Sequence, residues 1–122
     1  ILRHVRHPNI VLFHGACVDV HTGGIMLVLE RVCGSTFDTI IKKLQTWKQG
    51  SPHHEAQRDI MLKVSMALIY LHSRTPCLVH GDLSPTNIIV ERREATYNPK
   101  LLDFGLSRTI ARGSRHSPNP IT

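Results

Sequence analysis

The chain has 122 residues, of which 41 % are apolar and 20 % are charged, and its formal net charge is +6. This size and composition fit one small folded domain and exclude a wholly disordered chain, and no apolar run approaches the roughly 18 residues of a membrane span. The basic residues are scattered and aromatics make up only 5 %, so we expect anionic ligands such as nucleotide phosphates and no nucleic-acid partner.

The cysteines and histidines show no metal or disulfide pattern. Three cysteines stand far apart: Cys17, Cys33 and Cys77. We expect them to be reduced and partly buried, which indicates a cytoplasmic location. The nine histidines could suggest a metal site, but the pair His53-His54 lies in a loop-like stretch without a Cys or His at ligand spacing, so we expect adventitious surface histidines instead. The first residues lack the apolar core of a signal peptide and a starting Met, and we expect a piece of a longer chain.

The first part of the chain predicts a β-hairpin followed by a helix. Apolar runs at residues 9–13 and 25–30 predict two strands, and the sequence His-Thr-Gly-Gly at 21–24 predicts the turn that joins them. Ser35 or Thr36 would then cap a helix over residues 37–47.

Residues 49–54 predict a loop, and residues 55–74 predict the clearest helix of the sequence. Its apolar residues form two stripes: Ile60, Val64, Ala67, Leu68 and Leu71, and on the other side Leu62, Met66 and Ile69. A helix that is apolar nearly all round is usually buried. We therefore expect a parent fold larger than this chain, and apolar surface on the chain alone.

Three short strands are predicted in the second half, at residues 77–80, 87–90 and 100–104. The last two are separated by a polar stretch of hairpin type. The tail from Ser107 onward is polar, contains prolines and has no periodicity, so it predicts a mobile loop.

Polar side chains stand at the ends of these predicted strands. Asp82 and Asn87 flank a short loop, and Asp103 follows the last strand. If the strands at 87–90 and 100–104 pair, Asn87 and Asp103 lie at the same end of the hairpin. Such oxygen ligands suit Mg²⁺, and Asp82 could accept a proton from an attacking hydroxyl group. This is the equipment of phosphoryl transfer.

The segment His80-Gly81-Asp82-Leu83-Ser84-Pro85-Thr86-Asn87, followed by Asp103-Phe104-Gly105, resembles the catalytic loop H-R-D-L-x-x-x-N and the D-F-G motif of eukaryotic-type protein kinases. The resemblance covers the whole chain, since "RHPNIV" and "IMLVLE" are similar to the strands before the hinge. The runs "LFHGAC" and "DFGLSR" resemble the tyrosine-kinase-like group of Ser/Thr kinases. An α+β fold class follows, as a partial kinase fold.

The resemblance implies one partial kinase domain over residues 1–122. Its expected parts are a remnant of the small lobe at 1–30, the hinge at 31–35, the start of the large lobe at 36–108 and a truncated activation loop at 109–122. ATP and Mg²⁺ are the implied cofactors, and a protein is the implied substrate.

The resemblance also implies roles for individual residues. Asp82 would be the catalytic base, and Leu29 would be the gatekeeper. The implied ATP-binding residues are the Mg²⁺ ligands Asn87 and Asp103, the backbone of Glu30 and Val32 for the adenine, and Ile89 in its floor. An apolar column would link the lobes through Leu2, Phe13, His80 and Phe104.

The chain departs from the family pattern in four places. It starts after the Gly-rich loop, the phosphate-binding lysine and the C-helix glutamate, and it ends before the A-P-E motif, so we expect the fragment alone to be inactive. Gly81 replaces the usual arginine, which argues against phosphorylation of the activation loop as the main switch. Candidate residues for such phosphorylation are Ser107, Thr109, Ser114 and Ser117. Ser84 replaces the usual lysine, which predicts slower turnover.

Three functional interpretations remain open. The first is a Ser/Thr protein kinase that uses Mg-ATP. The second is a pseudokinase that keeps the fold and nucleotide binding, which the presence of Asp82, Asn87 and Asp103 opposes. The third is a small-molecule kinase of the aminoglycoside phosphotransferase type, in which "HGD" is usual; "DFGLSR" and "RHPNIV" oppose it.

Overall fold

The computed structural model describes residues 2–43 and 52–111, and it confirms the expected α+β class. Short 3-10 turns lie at Leu2–His4 and Pro85–Asn87. The regular elements in chain order are β1 (Phe13–Val18), β2 (Ile25–Leu29), β3 (Ser35–Thr36), α1 (Phe37–Lys43), α2 (Pro52–Ser73), β4 (Cys77–Val79), β5 (Ile88–Arg93), β6 (Thr96–Leu101) and β7 (Arg108–Ile110).

Strands β1 and β2 form the predicted antiparallel hairpin, with a register running from Phe13 opposite Leu29 to Val18 opposite Ile25. The turn is closed by the Asp19 carboxylate, which accepts hydrogen bonds from the His21 N–H and the Thr22 hydroxyl. The predicted bounds of the first strand are wrong, because the strand begins where the prediction ends.

Residues 9–11 pack against β6, whereas Leu12 extends the hairpin by one hydrogen bond, from the Glu30 N–H to the Leu12 carbonyl at 2.8 Å. Ile10 bridges to Leu101, and the Val11 N–H donates to the Leu101 carbonyl at 3.0 Å. Ile10 and Val11 are buried. Their apolar character therefore reflects burial against the second sheet, which periodicity alone cannot distinguish from a strand.

Strands β3, β5 and β6 form the second sheet in that order, all antiparallel. The β5–β6 ladder runs from Ile88 opposite Leu101 to Arg93 opposite Thr96. The first of these strands extends further than predicted, to Arg93, because the polar stretch between the predicted strands continues the ladder. The second lies earlier than predicted, at 96–101, so the predicted strand is wrong for residues 102–104. The hairpin turns only at Glu94 and Ala95, where Glu94 has a φ of 54°.

Both predicted helices are present. The Thr36 hydroxyl accepts a hydrogen bond from the Thr39 N–H at 3.2 Å, which is the expected N-cap of α1. Helix α2 begins at Pro52, earlier than predicted, because proline is accepted in the first turn of a helix. Residues 44–47 of the predicted helix and 49–51 of the predicted loop lie outside the described residues.

The two apolar stripes of α2 have different surroundings. Ile60, Val64, Ala67 and Leu71 are buried in the core, which also contains residues from β4, β5 and β6. In contrast, 59 % of Leu62, 53 % of Met66 and 67 % of Ile69 is exposed. The helix is therefore not buried all round, and the expected apolar surface is present on the chain.

Strands β4 and β7 form a third, two-stranded sheet, in which Cys77 lies opposite Ile110 and Val79 opposite Arg108. The prediction of a mobile tail is therefore wrong for residues 108–110. Their sequence shows no alternation of apolar and polar residues, because β7 has only three residues and all of them are exposed. Residues 112–122 lie outside the described part of the chain.

The cysteines are free, but Cys17 and Cys33 are exposed, so the expected partial burial holds only for Cys77. None of the helices that the structure describes has the length and apolar character needed to cross a membrane.

Candidate active site

His80 fixes the start of the catalytic loop, the name used here for residues 80–87. Its ring is 2 % exposed and lies edge-on to Phe104, with 4.8 Å between ring centroids. The Asp82 N–H donates to Nδ1 at 3.1 Å, so Nε2 carries the proton that is donated to the Leu102 carbonyl at 2.6 Å. His80 thus ties the backbone of Asp82 to the segment that precedes Asp103.

Asn87 holds the carboxylate of Asp82. Its Nδ2 donates to the Asp82 carbonyl at 2.8 Å and to Asp82 Oδ2 at 3.1 Å. Because both partners only accept, the amide nitrogen must face them, and Asn87 Oδ1 is left as an oxygen ligand. Within the described part of the chain, Asp82 Oδ1 accepts no hydrogen bond. One carboxylate oxygen is thus held and the other is available for a proton.

Asp103 lies beside Asn87 because the Leu102 N–H donates to the Asn87 carbonyl at 2.8 Å. The aspartate has a φ of 55°, a conformation that Asp and Asn tolerate better than most residues. Its Oδ1 accepts a hydrogen bond from the Gly105 N–H at 3.1 Å, and its side chain is exposed. The structure therefore brings Asp82, Asn87 and Asp103 together at one end of β5 and β6.

A cavity of about 210 Å³ separates the β1–β2 hairpin from the Asp103 segment. Leu29, predicted as the gatekeeper, lines it together with Asp103 and Phe104. Leu2 and Phe13 line the same cavity. Three residues of the predicted apolar column, Leu2, Phe13 and Phe104, thus line the cavity, and the fourth, His80, contacts the Phe104 ring.

The residues predicted to bind adenine do not line this cavity. The predicted hinge at 31–35 leads into β3, where Thr36 pairs with Ile89 of β5. The Cys33 N–H donates to Glu91 Oε1 at 3.4 Å, which ties the hinge to the same strand. Val32 and Ile89 are both half-buried.

Glu30 has a second role that the sequence analysis missed. Its carboxylate lies 2.9 Å from Lys100 Nζ and accepts a hydrogen bond from the Leu12 N–H at 3.0 Å. Burial by itself raises the pKa of Glu30, but the hydrogen bonds from Lys100 and Leu12 outweigh it and hold this pKa below its ordinary value. Glu30 therefore connects the end of β2 to the residue before β1 and to β6, the strand that leads to Asp103.

This ion pair predicts a pH-dependent loss of stability. Because the pKa of Glu30 is lower in the folded state, its contribution is present above the ordinary value of 4.5 and is lost as the pH falls through the folded pKa. We expect Lys100→Met to cost about 1–3 kcal/mol at neutral pH, since the half-buried carboxylate loses its cation. Urea unfolding at neutral pH and below pH 4.5 measures both effects.

Lys42→Met is the matched control, because the ion pair of Lys42 with Asp38 is 69 % exposed on the lysine side. It should cost less than about 1 kcal/mol. An equal cost for the two variants would contradict a structural role for the Glu30–Lys100 pair.

The donor atoms at the candidate site fit Mg²⁺. Asn87 Oδ1 and the Asp103 carboxylate are hard oxygen ligands, and Mg²⁺ is commonly held by one or two protein oxygens together with phosphates and water. Among residues 2–43 and 52–111, no three His, Cys, Asp or Glu side chains are grouped so that they could hold a metal ion. The two oxygen donors of Asn87 and Asp103 fit a Mg²⁺ ion whose other ligands are phosphate and water.

Comparison with known proteins identifies a family for nearly the whole chain. The family model described as protein kinase domain matches residues 1–121. Interleukin-1 receptor-associated kinase 1 of Bos taurus is 38 % identical over 109 residues, which is 88 % of this chain and 14 % of that protein. U-box domain-containing protein 57 of Oryza sativa subsp. japonica is 34 % identical over 120 residues, 98 % of this chain and 21 % of the relative.

A third relative is the serine/threonine-protein kinase CTR1 of Arabidopsis thaliana, 32 % identical over 111 residues, which is 91 % of this chain and 13 % of the relative. The two relatives that are named as kinases confirm the resemblance to the tyrosine-kinase-like Ser/Thr group. The chain spans only 13–21 % of the length of the three relatives.

Proposed function

This chain belongs to the protein kinase domain family, and on that premise we propose that the protein transfers the γ-phosphoryl group of ATP to Ser or Thr hydroxyl groups of protein substrates. The observation that carries the proposal is the arrangement of Asp82, Asn87 and Asp103. One oxygen of Asp82 is held by Asn87, the other is available, and Asp103 lies beside Asn87. The family match favours this function over a small-molecule kinase of the aminoglycoside phosphotransferase type.

The mechanism assigns different tasks to the three residues. Asp82 orients the substrate hydroxyl and accepts its proton through Oδ1 while the hydroxyl oxygen forms a bond to the γ-phosphorus. The bond from the γ-phosphorus to the β–γ bridging oxygen breaks, and ADP leaves. Asn87 and Asp103 would hold Mg²⁺, and the bound ion would neutralise the negative charge of the phosphates.

The hinge and β5 supply the proposed adenine site. The backbone of Glu30 and Val32 would hydrogen-bond the base, Ile89 would contact its face, and Leu29 would limit the space behind it. Support comes from Thr36 pairing with Ile89 and from the hydrogen bond between Cys33 and Glu91, because these contacts hold the segment at 33–36 against β5. The proposed division is small lobe at 1–30, hinge at 31–35, large lobe at 36–108 and activation loop from 109 onward.

The preference for Ser and Thr rests on the catalytic loop. Ser84-Pro85 follows the Ser/Thr-type loop rather than the arginine-containing tyrosine-kinase loop. Radiolabelled ATP and peptides that differ only in Ser, Thr or Tyr at the acceptor position provide the test, with the full-length protein as enzyme. Label on Ser and Thr peptides is expected. Label on Tyr peptides alone would contradict the proposed specificity.

Ser84 supports one alternative function. Serine is uncharged, so this position offers no cation for the transferred phosphate. The Ser84 hydroxyl is instead hydrogen-bonded to the Thr86 hydroxyl at 2.7 Å. A pseudokinase that binds nucleotide without transferring phosphate is therefore the second candidate. Mg-ATP binding without any labelled product, in the same full-length protein, would favour it.

We also propose a cytoplasmic location. The support is chemical, since the three cysteines are free and two of them are exposed. Exposed thiols persist in a reducing compartment. Fluorescence microscopy of the tagged full-length protein tests the proposal, and exclusive residence in a secretory compartment would contradict it.

A further inference from the structure

Gly81 lies against Leu106 in the segment that follows Asp103, although Gly81 and Leu106 are far apart in sequence. Strands β4 and β7 pair up to Val79 and Arg108. Continuing the same register by two residues brings Gly81 opposite Leu106. The backbones stay in close contact here, because a Cβ atom added at Gly81 would overlap the carbonyl oxygen of Leu106 and lie 3.0 Å from its carbonyl carbon.

This contact connects the surroundings of the two acids. Gly81 directly precedes Asp82. Leu106 belongs to the tight turn that directly follows Asp103 and is closed by the Ser107 N–H, which donates to the Phe104 carbonyl at 3.0 Å. The turn is attached to Asp103 by the hydrogen bond from the Gly105 N–H to Asp103 Oδ1. A displacement of Leu106 would therefore move the turn, and Asp103 with it, relative to Asp82.

We propose that Gly81 is a positioning residue, which sets the separation of Asp82 and Asp103 by allowing the Leu106 carbonyl to lie directly against its Cα. The catalytic part of this inference rests on the proposed kinase function. Gly81 also has a φ of 84°, which is a second requirement for glycine, because residues with a side chain rarely adopt this backbone conformation. Any larger residue must displace the Leu106 backbone, which has no flexible end that could give way.

The family usually has an arginine at the position of Gly81. In this chain the arginine would collide with Leu106 through its Cβ, before its charge could contribute anything. Gly81 is then a steric requirement of this particular site and not the sign of a degraded enzyme. Restoring the arginine is expected to damage the site.

The experiment compares Gly81→Ala and Gly81→Arg with Gly23→Ala in the full chain. Gly23 is the matched control, because its φ of 70° is also positive while no atom lies within 4 Å of an added Cβ. Amide hydrogen exchange is followed in two places, at residues 104–110 and in the buried stripe of α2. Exchange at 104–110 should accelerate at least about tenfold in both Gly81 variants, because this segment opens locally. Exchange in α2 should be unchanged in these variants. The Gly23 variant should show unchanged exchange both at 104–110 and in α2.

Three outcomes would overturn the proposal. Unchanged exchange at 104–110 in Gly81→Ala would show that the contact with Leu106 is not tight. An equal acceleration in Gly23→Ala would assign the effect to general backbone strain. An equal acceleration in α2 would show that Gly81 supports the whole fold rather than the turn.

Phosphate transfer by the full-length protein tests the catalytic part. Both Gly81 variants should lower kcat more than about tenfold, while Gly23→Ala stays within about twofold of the unmodified protein. Unchanged kcat in Gly81→Ala would refute the positioning role. If the unmodified protein transfers no phosphate, the proposed function fails, whereas the exchange measurements still decide whether Gly81 controls the Asp103 turn.

Discussion

Asp82→Asn is expected to lower phosphate transfer by about 10²- to 10⁴-fold, the usual contribution of a general base. The substitution is nearly isosteric and removes only the negative charge and the proton-accepting oxygen. The Asn87 side chain can still donate to the backbone carbonyl of residue 82, so the loop should keep its conformation. Binding of Mg-ATP should stay within about twofold, because a proton acceptor acts on the transition state rather than on the bound nucleotide.

The measurement separates binding from transfer in the full-length protein. Calorimetry gives the Kd for Mg-ATP, and single-turnover transfer of labelled phosphate gives the rate of the chemical step. Asp59→Asn serves as the control, since it removes an aspartate whose ion-pair partner Lys63 donates to the Tyr97 carbonyl of β6 and not to the catalytic loop. Unchanged transfer in Asp82→Asn would remove Asp82 from the role of base.

The order of elements could be predicted from the sequence wherever a segment shows a complete local pattern. The β1–β2 hairpin has two apolar runs and a Gly-Gly turn, and α1 has Thr36 as its cap. Residues 9–11 gave a wrong strand because their burial comes from distant contacts with β6. Residues 108–110 gave a wrong loop because β7 is stabilised by pairing with β4, which local sequence does not reveal.

The candidate site was predictable because its residues lie within two short motifs, and the hairpin between the motifs determines their proximity. The Glu30–Lys100 pair was not predicted, although a lysine at the start of the apolar run 100–104 is a signal that it needs an anionic partner. The role of Gly81 was also missed, because the sequence shows only that an arginine is absent. The carbonyl of Leu106 comes from another segment, and only the folded chain places it there.

Asp103→Asn is expected to weaken Mg-dependent nucleotide binding by at least about tenfold, which corresponds to about 1.4 kcal/mol. The loss follows from charge, because Mg²⁺ prefers a carboxylate to a neutral amide in a site with so few protein ligands. Asparagine also tolerates the φ of 55°, and its oxygen can still accept the hydrogen bond from Gly105. The substitution should therefore remove the charge while leaving the turn unchanged.

The decisive comparison is nucleotide binding with and without Mg²⁺. Asp103→Asn should reduce the affinity in the presence of Mg²⁺ to the value found with EDTA, whereas Asp82→Asn should retain the full dependence on Mg²⁺. Asp103→Ala should show the same loss and, in addition, faster amide exchange at Gly105, because it removes the acceptor of that hydrogen bond. If Asp103→Asn kept the full dependence on Mg²⁺, the metal would be held by other groups. The two acids would then lose the separate roles that their geometry supports, one for the proton and one for the phosphate charge.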